Sequence, residues 1–360
     1  MKIDNLLNSN PFEFTKESNE LFFESLRECS QYHYDGCDYF KFLWDKVNIR
    51  PADIRTDLDL SRMPFIMVNL FKTHELRTGP KDDIVLTLGS SGTGGQRSLI
   101  YLNQESLDRV KKLAFNIHQE LGMTSDKKYN YLCFTYDPEI ANDLGTAFTD
   151  ELLTSFTGKE EVFYTFKHNG EDFYFDEEAT VETLKRFEKS EYGTRILGFP
   201  AFLYQILDKY NINLNLGEDS WVQTGGGWKG QADKEIPKQE FRKLVSRRLG
   251  LPIENIRDLF GMVEHGIPYV DYKDGELRIP NYARVLIRDP KTLEVLPNGK
   301  KGLIQFICTY NTSYPSMSLL TTDWGVKEET KEMGSILTIL GRAGISKNKG
   351  CAIKAAEMLS

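Results

Sequence analysis

The pattern of apolar and polar positions divides the chain into three stretches. The first 80 residues combine helix-like apolar spacing with many aromatic side chains. From residue 84 short apolar runs alternate with amphipathic segments, and from residue 275 strand-like segments dominate. This order predicts an α/β body followed by a β-rich section.

Local signals define the first elements of the α/β body. Residues 84–88 form an apolar run that predicts a buried strand, and residues 129–135 predict another. Asn103 is a typical N-cap for a helix that extends to about Leu121, where Gly122 predicts its end. Strand, helix and strand therefore follow one another in this part of the chain.

The alternation continues to residue 260, and turn signals then separate the strands of the last section. Further predicted strands cover residues 162–166, 172–175, 195–198, 221–223 and 256–260, and further predicted helices begin at Pro200 and cover residues 237–249. Asp289-Pro290 and Pro297-Asn298-Gly299 are the turn signals. The predicted fold class is α/β.

Charge and cysteine content exclude several classes of protein. Lysine and arginine total 45 and aspartate and glutamate total 53, so the net charge is −8. An acidic chain has no general attraction to nucleic acid or anionic lipid. No apolar run approaches the roughly 20 residues of a membrane span, and no secretory signal is recognisable. Five cysteines without a CxxC pair argue against a disulfide framework and predict a cytoplasmic protein.

A glycine-rich segment is the sharpest chemical feature. Thr87–Gly95 reads TLGSSGTGG, in which small residues let backbone N–H groups approach an anion and hydroxyls add further donors. The segment has neither the Gly-Lys-Ser/Thr ending of a Walker loop nor a GxGxxG pattern. The residues alone leave two interpretations open, a phosphate-binding loop and a flexible surface loop.

Four segments together resemble the motifs of adenylate-forming enzymes, the acyl-CoA synthetase and luciferase superfamily. The first resembles the phosphate loop of that superfamily and consists of Ser90, Ser91, Gly92, Thr93, Gly94 and Gly95. Leu259–His265 resembles the aromatic-Gly-x-Thr-Glu motif, Thr321–Asp323 the Thr-Gly-Asp motif, and Gly341-Arg342 the Gly-Arg that opens the hinge. The resemblance covers about residues 85 to 345. It implies the large N-terminal domain of the superfamily, with α/β subdomains and a β-rich subdomain.

The resemblance also implies ligands and residue roles. ATP would bind with its β- and γ-phosphates on the Ser90–Gly95 loop and its adenine against Phe260 and Gly261. Glu264 would hold Mg²⁺, a hard cation that prefers oxygen ligands. Asp323 would accept hydrogen bonds from the ribose hydroxyls, and Arg342 belongs with these nucleotide-binding residues.

Two further parts of the site follow from the same resemblance. The run Gly225, Gly226 and Gly227 resembles the segment that lines the acyl-adenylate. His265, beside Glu264, would act as a general base or orient the carboxyl substrate. Each residue taken singly also fits a structural role, such as a capping aspartate, a surface glutamate or a packed phenylalanine.

The sequence departs from the superfamily pattern in three places. The common phosphate loop ends in a lysine where this chain has Ser98, with Arg97 beside it, and Val263 replaces the usual threonine. The chain also stops soon after Gly341-Arg342. We therefore expect the mobile C-terminal domain and its catalytic lysine to be absent.

Cys351 is a candidate acyl acceptor. Lys347 and Lys349 favour its thiolate, which is the nucleophilic form. A cysteine just beyond Gly-Arg resembles the acyl-protein synthetase branch, a subunit of bacterial fatty-acid reductase complexes. The resemblance implies a synthetase domain at residues 1–345 and a tail at residues 346–360 that carries the cysteine. It also implies that a fatty acid becomes acyl-AMP, moves to Cys351 and passes to a partner reductase.

Several alternatives stay open. One is a ligase that transfers an acyl or aryl group to coenzyme A or a carrier protein, as in phenylacetate-CoA ligases. Another is a non-catalytic scaffold with a degenerate fold. Cys29, His33 and Cys37 share one helix face and could offer zinc ligands, although buried packing is commoner for such residues. The sequence does not identify the acid, or decide between bioluminescence and another aldehyde- or lipid-forming pathway.

Overall fold

The computed structural model describes residues 1–90, 97–140, 145–228, 234–330 and 333–342. The helices are α1 (Lys2–Leu6), α2 (Lys16–Gly36), α3 (Asp38–Val47), α4 (Gln104–Glu120), α5 (Gly145–Thr154), α6 (Glu177–Phe187), α7 (Pro200–Lys209) and α8 (Lys238–Leu249). The strands are β1 (Ile66–Met67), β2 (Ile84–Gly89), β3 (Leu99–Asn103), β4 (Ser125–Tyr136), β5 (Thr157–His168), β6 (Phe173–Phe175), β7 (Thr194–Gly198), β8 (Trp221–Gly225), β9 (Ile256–Phe260), β10 (Tyr269–Asp271), β11 (Leu277–Arg278), β12 (Ala283–Arg288), β13 (Gly302–Cys308), β14 (Ser318–Glu328) and β15 (Ile336–Arg342). Short 3₁₀ helices cover Pro51–Asp53, Asp59–Arg62, Val68–Lys72, Lys81–Asp83 and Ile253–Asn255.

One half of the main sheet is parallel. Strands β9, β8, β7, β4 and β5 lie side by side in that order, and β6 adds an antiparallel edge. Phe134, Gly198, Thr224 and Asp258 face one another across four of these strands. The strands therefore end at one common edge, which is the usual place for a ligand site in an open α/β sheet.

The other half of the same sheet is antiparallel. It continues from β9 through β10, β11, β15, β14 and β13 to β12, and the short strand β1 adds to β14 in parallel. Tyr269 on β10 pairs with Phe260 on β9 and forms the joint between the halves. The prediction of an α/β body followed by a β-rich section is confirmed, and the two parts share one continuous sheet.

Two apolar cores lie on opposite faces of the sheet. Helices α6, α7 and α8 cover one face of the parallel half and bury side chains such as Leu132, Ile196 and Val222. The larger core lies on the other face under α1 to α4 and includes Phe22 and Trp44. The amino-terminal helices thus complete the core of the antiparallel half.

The local predictions for α4 and α7 are confirmed. The Asn103 side chain accepts a hydrogen bond of 2.9 Å from the Ser106 amide at the start of α4. Gly122, with φ +72°, follows the end of that helix, and Pro200 is the first residue of α7. Within the described residues, none of the helices has the length and apolar character to cross a lipid bilayer.

The prediction of a buried strand at residues 84–88 is only half right. The strand forms, but in the described residues β2 pairs only with β3 and lies outside the main sheet. Val85 on its outer face is 53% exposed, whereas Leu88 is buried. The apolar run therefore forms one covered and one open face of a two-stranded hairpin.

Candidate active site

The glycine run lies at the carboxyl end of β8, beside the end of β9. Gly225 pairs with Leu259, and a Cβ at Gly225 would lie 3.2 Å from the Leu259 carbonyl oxygen. Gly226 and Gly227 have φ values of +78° and +74°, a conformation that favours glycine. The run therefore offers bare backbone at the edge where a ligand is expected.

Phe260 ends β9 directly beside this run. Its half-buried ring stacks on Phe306 at 5.9 Å between centroids and also contacts Tyr269. The packing holds the phenylalanine ring in a fixed place at the sheet edge. An aromatic ring in such a place can stack on a planar base.

Glu264 lies in the turn that follows β9. The His265 and Gly266 amides both donate hydrogen bonds to the Met262 carbonyl oxygen, at 3.0 and 2.9 Å, and close this turn. The Glu264 side chain is only 6% exposed, and in the described part of the chain its carboxylate forms neither a hydrogen bond nor an ion pair. A buried carboxylate without a partner is costly. Its oxygen atoms suit a hard cation such as Mg²⁺, which commonly takes one or two carboxylates plus substrate phosphates.

Asp323 and Arg342 are brought together by the pairing of β14 with β15. The Arg342 Nε lies 3.4 Å from Asp323 Oδ1, and the Asp323 amide donates to the Thr321 hydroxyl at 3.1 Å. Phe306, which contacts Phe260, pairs with Leu319 on the same strand as Asp323. At about 3.3 Å per residue, Asp323 lies roughly 13 Å along β14 from that pair.

The β2–β3 hairpin carries the glycine-rich segment. The Ser90 amide donates to the Ser98 carbonyl oxygen at 2.9 Å, and the Ser98 amide donates to the Ser90 hydroxyl at 2.9 Å. The hairpin thereby closes the base of the segment on both sides. Ser91 to Gly95 lie outside the described residues. Ser98, at the position of the family lysine, has a fully buried side chain.

The whole sequence matches a known protein family. The family model described as acyl-protein synthetase, LuxE, matches residues 1–360. The chain belongs to the LuxE acyl-protein synthetase family.

Known relatives agree with this membership of the LuxE family. The long-chain-fatty-acid–luciferin-component ligase of Vibrio harveyi is 26% identical over 349 residues, which cover 95% of this chain and 89% of that protein. The phenylacetate-coenzyme A ligase of Pseudomonas putida is 22% identical and covers 83% of this chain and 64% of that protein. The chain is therefore a ligase.

A solved structure shows the fold of this LuxE-family chain. A 2-hydroxyisobutyryl-CoA ligase in complex with R3-HIB-AMP matches with a TM-score of 0.68 at 13% identity. The match covers 92% of this chain and 69% of that ligase. The predicted adenylate-forming fold is confirmed.

His265 lies in the aromatic core behind the site of this LuxE-family ligase. Its side chain is fully buried, its Nε2 lies 2.8 Å from the Tyr269 hydroxyl, and its ring stacks on Phe306 at 4.8 Å. Burial lowers the pKa of His265 to about 3, so the ring is neutral at pH 7. This geometry does not fit the expected general base, because the ring is enclosed by protein. It suits a residue that positions its neighbours.

The structure contains a buried polar cluster beside Phe260 that was not predicted from the sequence. The Thr224 hydroxyl donates to Asp258 Oδ1 at 2.9 Å, and the Asp258 amide donates to Asp271 Oδ2 at 2.8 Å. Lys238 Nζ lies 2.8 Å from Asp271 Oδ1. Burial raises the pKa of Asp258 to about 6. The available signal was an acidic residue in the predicted strand at residues 256–260, two positions before the motif phenylalanine.

The pattern of Cys29, His33 and Cys37 has a structural explanation in this family member. The Cys29 thiol donates to the Thr309 carbonyl oxygen at 2.8 Å. His33 contacts the Asn311 carbonyl oxygen at 2.8 Å through Nε2 and the Thr78 hydroxyl at 2.7 Å through Nδ1. The Cys29 sulfur and both ring nitrogens of His33 therefore already contact protein atoms. No cluster of three His, Cys, Asp or Glu side chains suited to a metal ion occurs in the part of the chain that the structure describes.

Cys351 and the expected tail, residues 346–360, lie outside the described residues. The expected division into residues 1–345 and this tail stays a prediction.

Proposed function

We propose that this ligase activates a carboxylic acid, most simply a fatty acid, with ATP as acyl-AMP, takes the acyl group onto Cys351 and passes it to a partner acyl reductase. The observation that carries the proposal is the buried carboxylate of Glu264, which has no partner in the described chain and lies in the turn after β9. Phe260 and the glycine run lie at the carboxyl ends of the adjacent strands β9 and β8, where open α/β sheets bind ligands. The steps through Cys351 and the partner rest on the resemblance to the acyl-protein synthetase branch.

The first step is attack of a carboxylate oxygen on the α-phosphorus of ATP. A new phosphorus–oxygen bond forms, the bond to the β-phosphate oxygen breaks, and pyrophosphate leaves. Bound Mg²⁺ would neutralise phosphate charge in this step. Glu264 would hold that ion, Phe260 would stack on the adenine, and the backbone of Gly225–Gly227 would face the acyl-adenylate.

The second step is attack of the Cys351 thiolate on the acyl carbonyl carbon. The sulfur–carbon bond forms, the bond from carbon to the AMP oxygen breaks, and AMP leaves. The thiol proton goes to solvent before the attack. Exchange with a thiol of the partner then moves the acyl group on and restores Cys351.

Intact-protein mass spectrometry tests the proposal. The wild type, Cys351→Ala and the control Cys37→Ala are incubated with ATP, Mg²⁺ and a panel of fatty and aryl acids. We expect a gain of one acyl mass in the wild type and in Cys37→Ala, and none in Cys351→Ala. Pyrophosphate release should persist in Cys351→Ala, because activation precedes transfer.

Other results would point to other functions. An adduct that persists in Cys351→Ala would contradict the assigned acceptor. Pyrophosphate release without any adduct would favour transfer to coenzyme A or a carrier protein, in line with the similarity to the phenylacetate-coenzyme A ligase of Pseudomonas putida. ATP binding without pyrophosphate release for any acid would favour the scaffold interpretation.

A further inference from the structure

We propose that two buried tyrosines, Tyr310 and Tyr314, position Glu264 by fixing the backbone of its turn. Both lie in residues 309–317, which connect β13 to β14 and are called here the tyrosine segment. This inference rests on the proposed function, in which Glu264 serves the nucleotide and its metal ion. The two tyrosines are positioning residues, since neither is assigned a contact with substrate.

The tyrosine segment is a loop without solvent exposure. All of its residues are buried, although loops of folded proteins normally lie on the surface. A buried loop must find hydrogen-bond partners for its backbone inside the protein. Its partners therefore show what the segment connects.

On one side, the tyrosine segment contacts the turn that carries Glu264. The Tyr314 hydroxyl donates to the Val263 carbonyl oxygen at 3.4 Å. Gly266 has φ +76°, and a Cβ at that position would lie 1.9 Å from the Tyr310 hydroxyl oxygen. One phenol therefore contacts the backbone just before Glu264 and the other just after His265.

On the other side, the tyrosine segment is anchored to helices α2 and α4. The Cys29 thiol and the His33 Nε2 reach the Thr309 and Asn311 carbonyl oxygens, each at 2.8 Å. On α4, Arg109 Nη1 donates to the Tyr310 carbonyl oxygen at 3.3 Å. Two of the three residues that looked like zinc ligands, Cys29 and His33, thus hold the backbone that carries the two tyrosines.

Internal hydrogen bonds make the tyrosine segment stiff. Asn311 Oδ1 accepts hydrogen bonds from the Ser313 amide at 2.8 Å and the Ser313 hydroxyl at 2.9 Å, and Asn311 Nδ2 donates to the Ser316 hydroxyl at 3.1 Å. The Glu264 carboxylate itself has no partner in the described chain. Its direction is therefore set by its backbone, and that backbone is held by the two tyrosines.

The test compares Tyr314→Phe with Tyr282→Phe. Both changes remove one hydroxyl from a buried ring, and the Tyr282 hydroxyl donates to the Ser9 carbonyl oxygen at 3.0 Å, away from the site. Hydrogen exchange of the His265 and Gly266 amides is measured relative to the Ile196 amide in β7. The Mg²⁺ concentration for half-maximal pyrophosphate release is measured alongside.

In Tyr314→Phe we expect the two turn amides to exchange about three- to tenfold faster, as fits the loss of one hydrogen bond. We expect the half-saturating Mg²⁺ concentration to rise by a similar factor while the KM for the acid stays constant. Tyr282→Phe should change neither the exchange rate of the turn amides relative to Ile196 nor the half-saturating Mg²⁺ concentration. Loss of stability alone would accelerate exchange at Ile196 too and would leave the Mg²⁺ dependence unchanged.

Two results would overturn the inference. Unchanged relative exchange in Tyr314→Phe would show that the tyrosine does not hold the turn. Faster exchange with an unchanged Mg²⁺ dependence in an active protein would show that the turn does not position a metal-binding carboxylate. A wild type that releases no pyrophosphate would contradict the proposed function, and the exchange measurement would still decide whether Tyr314 holds the turn.

Discussion

At and beside the amino ends of β7, β8 and β9, arginine and aromatic side chains alternate across the sheet. The carboxyl ends instead carry bare glycines and the carboxylates of Asp258 and Glu264, neither of which forms a direct ion pair in the described chain. The amino-end group is called here the arginine ladder. Its guanidinium carbons lie 4.5 to 5.9 Å from the neighbouring ring centroids. Its members in spatial order are Tyr129, Arg195, Trp221, Arg257, Tyr272 and Arg278.

The amino-end contacts stabilise the fold, whereas the carboxyl ends keep polar groups that can bind a ligand. In the arginine ladder each buried cation lies against at least one ring, and such contacts contribute about 0.5–2 kcal/mol each. Toward the carboxyl ends, burial raises the pKa of Asp258, and Glu264 has no partner in the described chain. The Glu264 carboxylate is therefore available to a ligand, whereas Asp258 accepts a hydrogen bond from the Thr224 hydroxyl.

The largest expected effect is on the arginine ladder. Trp221→Ala removes the ring between Arg195 and Arg257, so we expect the free energy of unfolding in urea to fall by about 3–5 kcal/mol. Pyrophosphate release per folded molecule should stay within about twofold, since the ladder lies at the opposite edge from the site. A loss of activity in fully folded protein would break the separation between the two ends.

The next effect concerns Asp150 on α5, the helix that follows the carboxyl end of β4. Burial raises the pKa of Asp150 to about 7 from 3.8. The folded state therefore keeps its proton up to about pH 7 while the unfolded carboxyl ionises above about pH 4, so stability falls as the pH rises through this range. We expect Asp150→Asn to raise the free energy of unfolding by about 4 kcal/mol at pH 8, because a difference of one unit in pKa corresponds to about 1.4 kcal/mol.

The stability gain of Asp150→Asn should shrink as the pH falls through 7 and vanish near pH 4. Denaturant unfolding across this range measures it. Asp126→Asn, an exposed control, should show no such trend. A stability gain that is independent of pH would show that folding does not raise the pKa of Asp150.

Glu264→Gln should separate activity from stability. The amide keeps the shape of the side chain but loses the charge, so we expect acid-dependent pyrophosphate release to fall about 100-fold. The free energy of unfolding should stay the same or rise slightly, because the charge that is removed is buried and has no partner in the described chain. The exposed control Glu240→Gln should change neither quantity. Retained activity in Glu264→Gln would exclude a central role for this carboxylate.

The smallest expected effect is at Arg342. Its side chain is 44% exposed and its contact with Asp323 is long, so the pair contributes less than about 1 kcal/mol. We expect Arg342→Gln to raise the KM for ATP about two- to threefold without changing the unfolding midpoint. Lys16→Gln, at another exposed ion pair, serves as control. A tenfold rise would place Arg342 in direct contact with the nucleotide.

The local elements were predictable because their signals are contiguous in the chain. Asn103 and Gly122 bound one helix, and Pro200 begins another. The motif spacing likewise found residues that the fold brings together, such as Gly225 beside the end of β9 and Asp323 beside Arg342. These features depend on residues that are close in sequence or belong to recognisable motifs.

The remaining features depend on which strands lie side by side and how their residues are aligned. Neither can be deduced from the sequence pattern. The enclosure of His265 requires Phe306, which lies on a strand and is 41 positions further along the chain. The arginine ladder needs residues from six different strands or strand ends to align. The burial of only one face of the run at residues 84–88 follows from its pairing with β3 alone, within the described chain.

The hydrogen bond from Cys29 to Thr309 joins distant parts of the chain, and this separation matters for folding during translation. The two residues are 280 positions apart, and at about 5–20 residues per second the ribosome needs roughly 15–60 s to synthesise the stretch between them. Until then, apolar side chains of α2 such as Phe22 and Phe23 lack their partners from the antiparallel half. The amino-terminal helices therefore reach their native packing only late in translation, and the nascent chain carries an aggregation-prone surface for most of its synthesis.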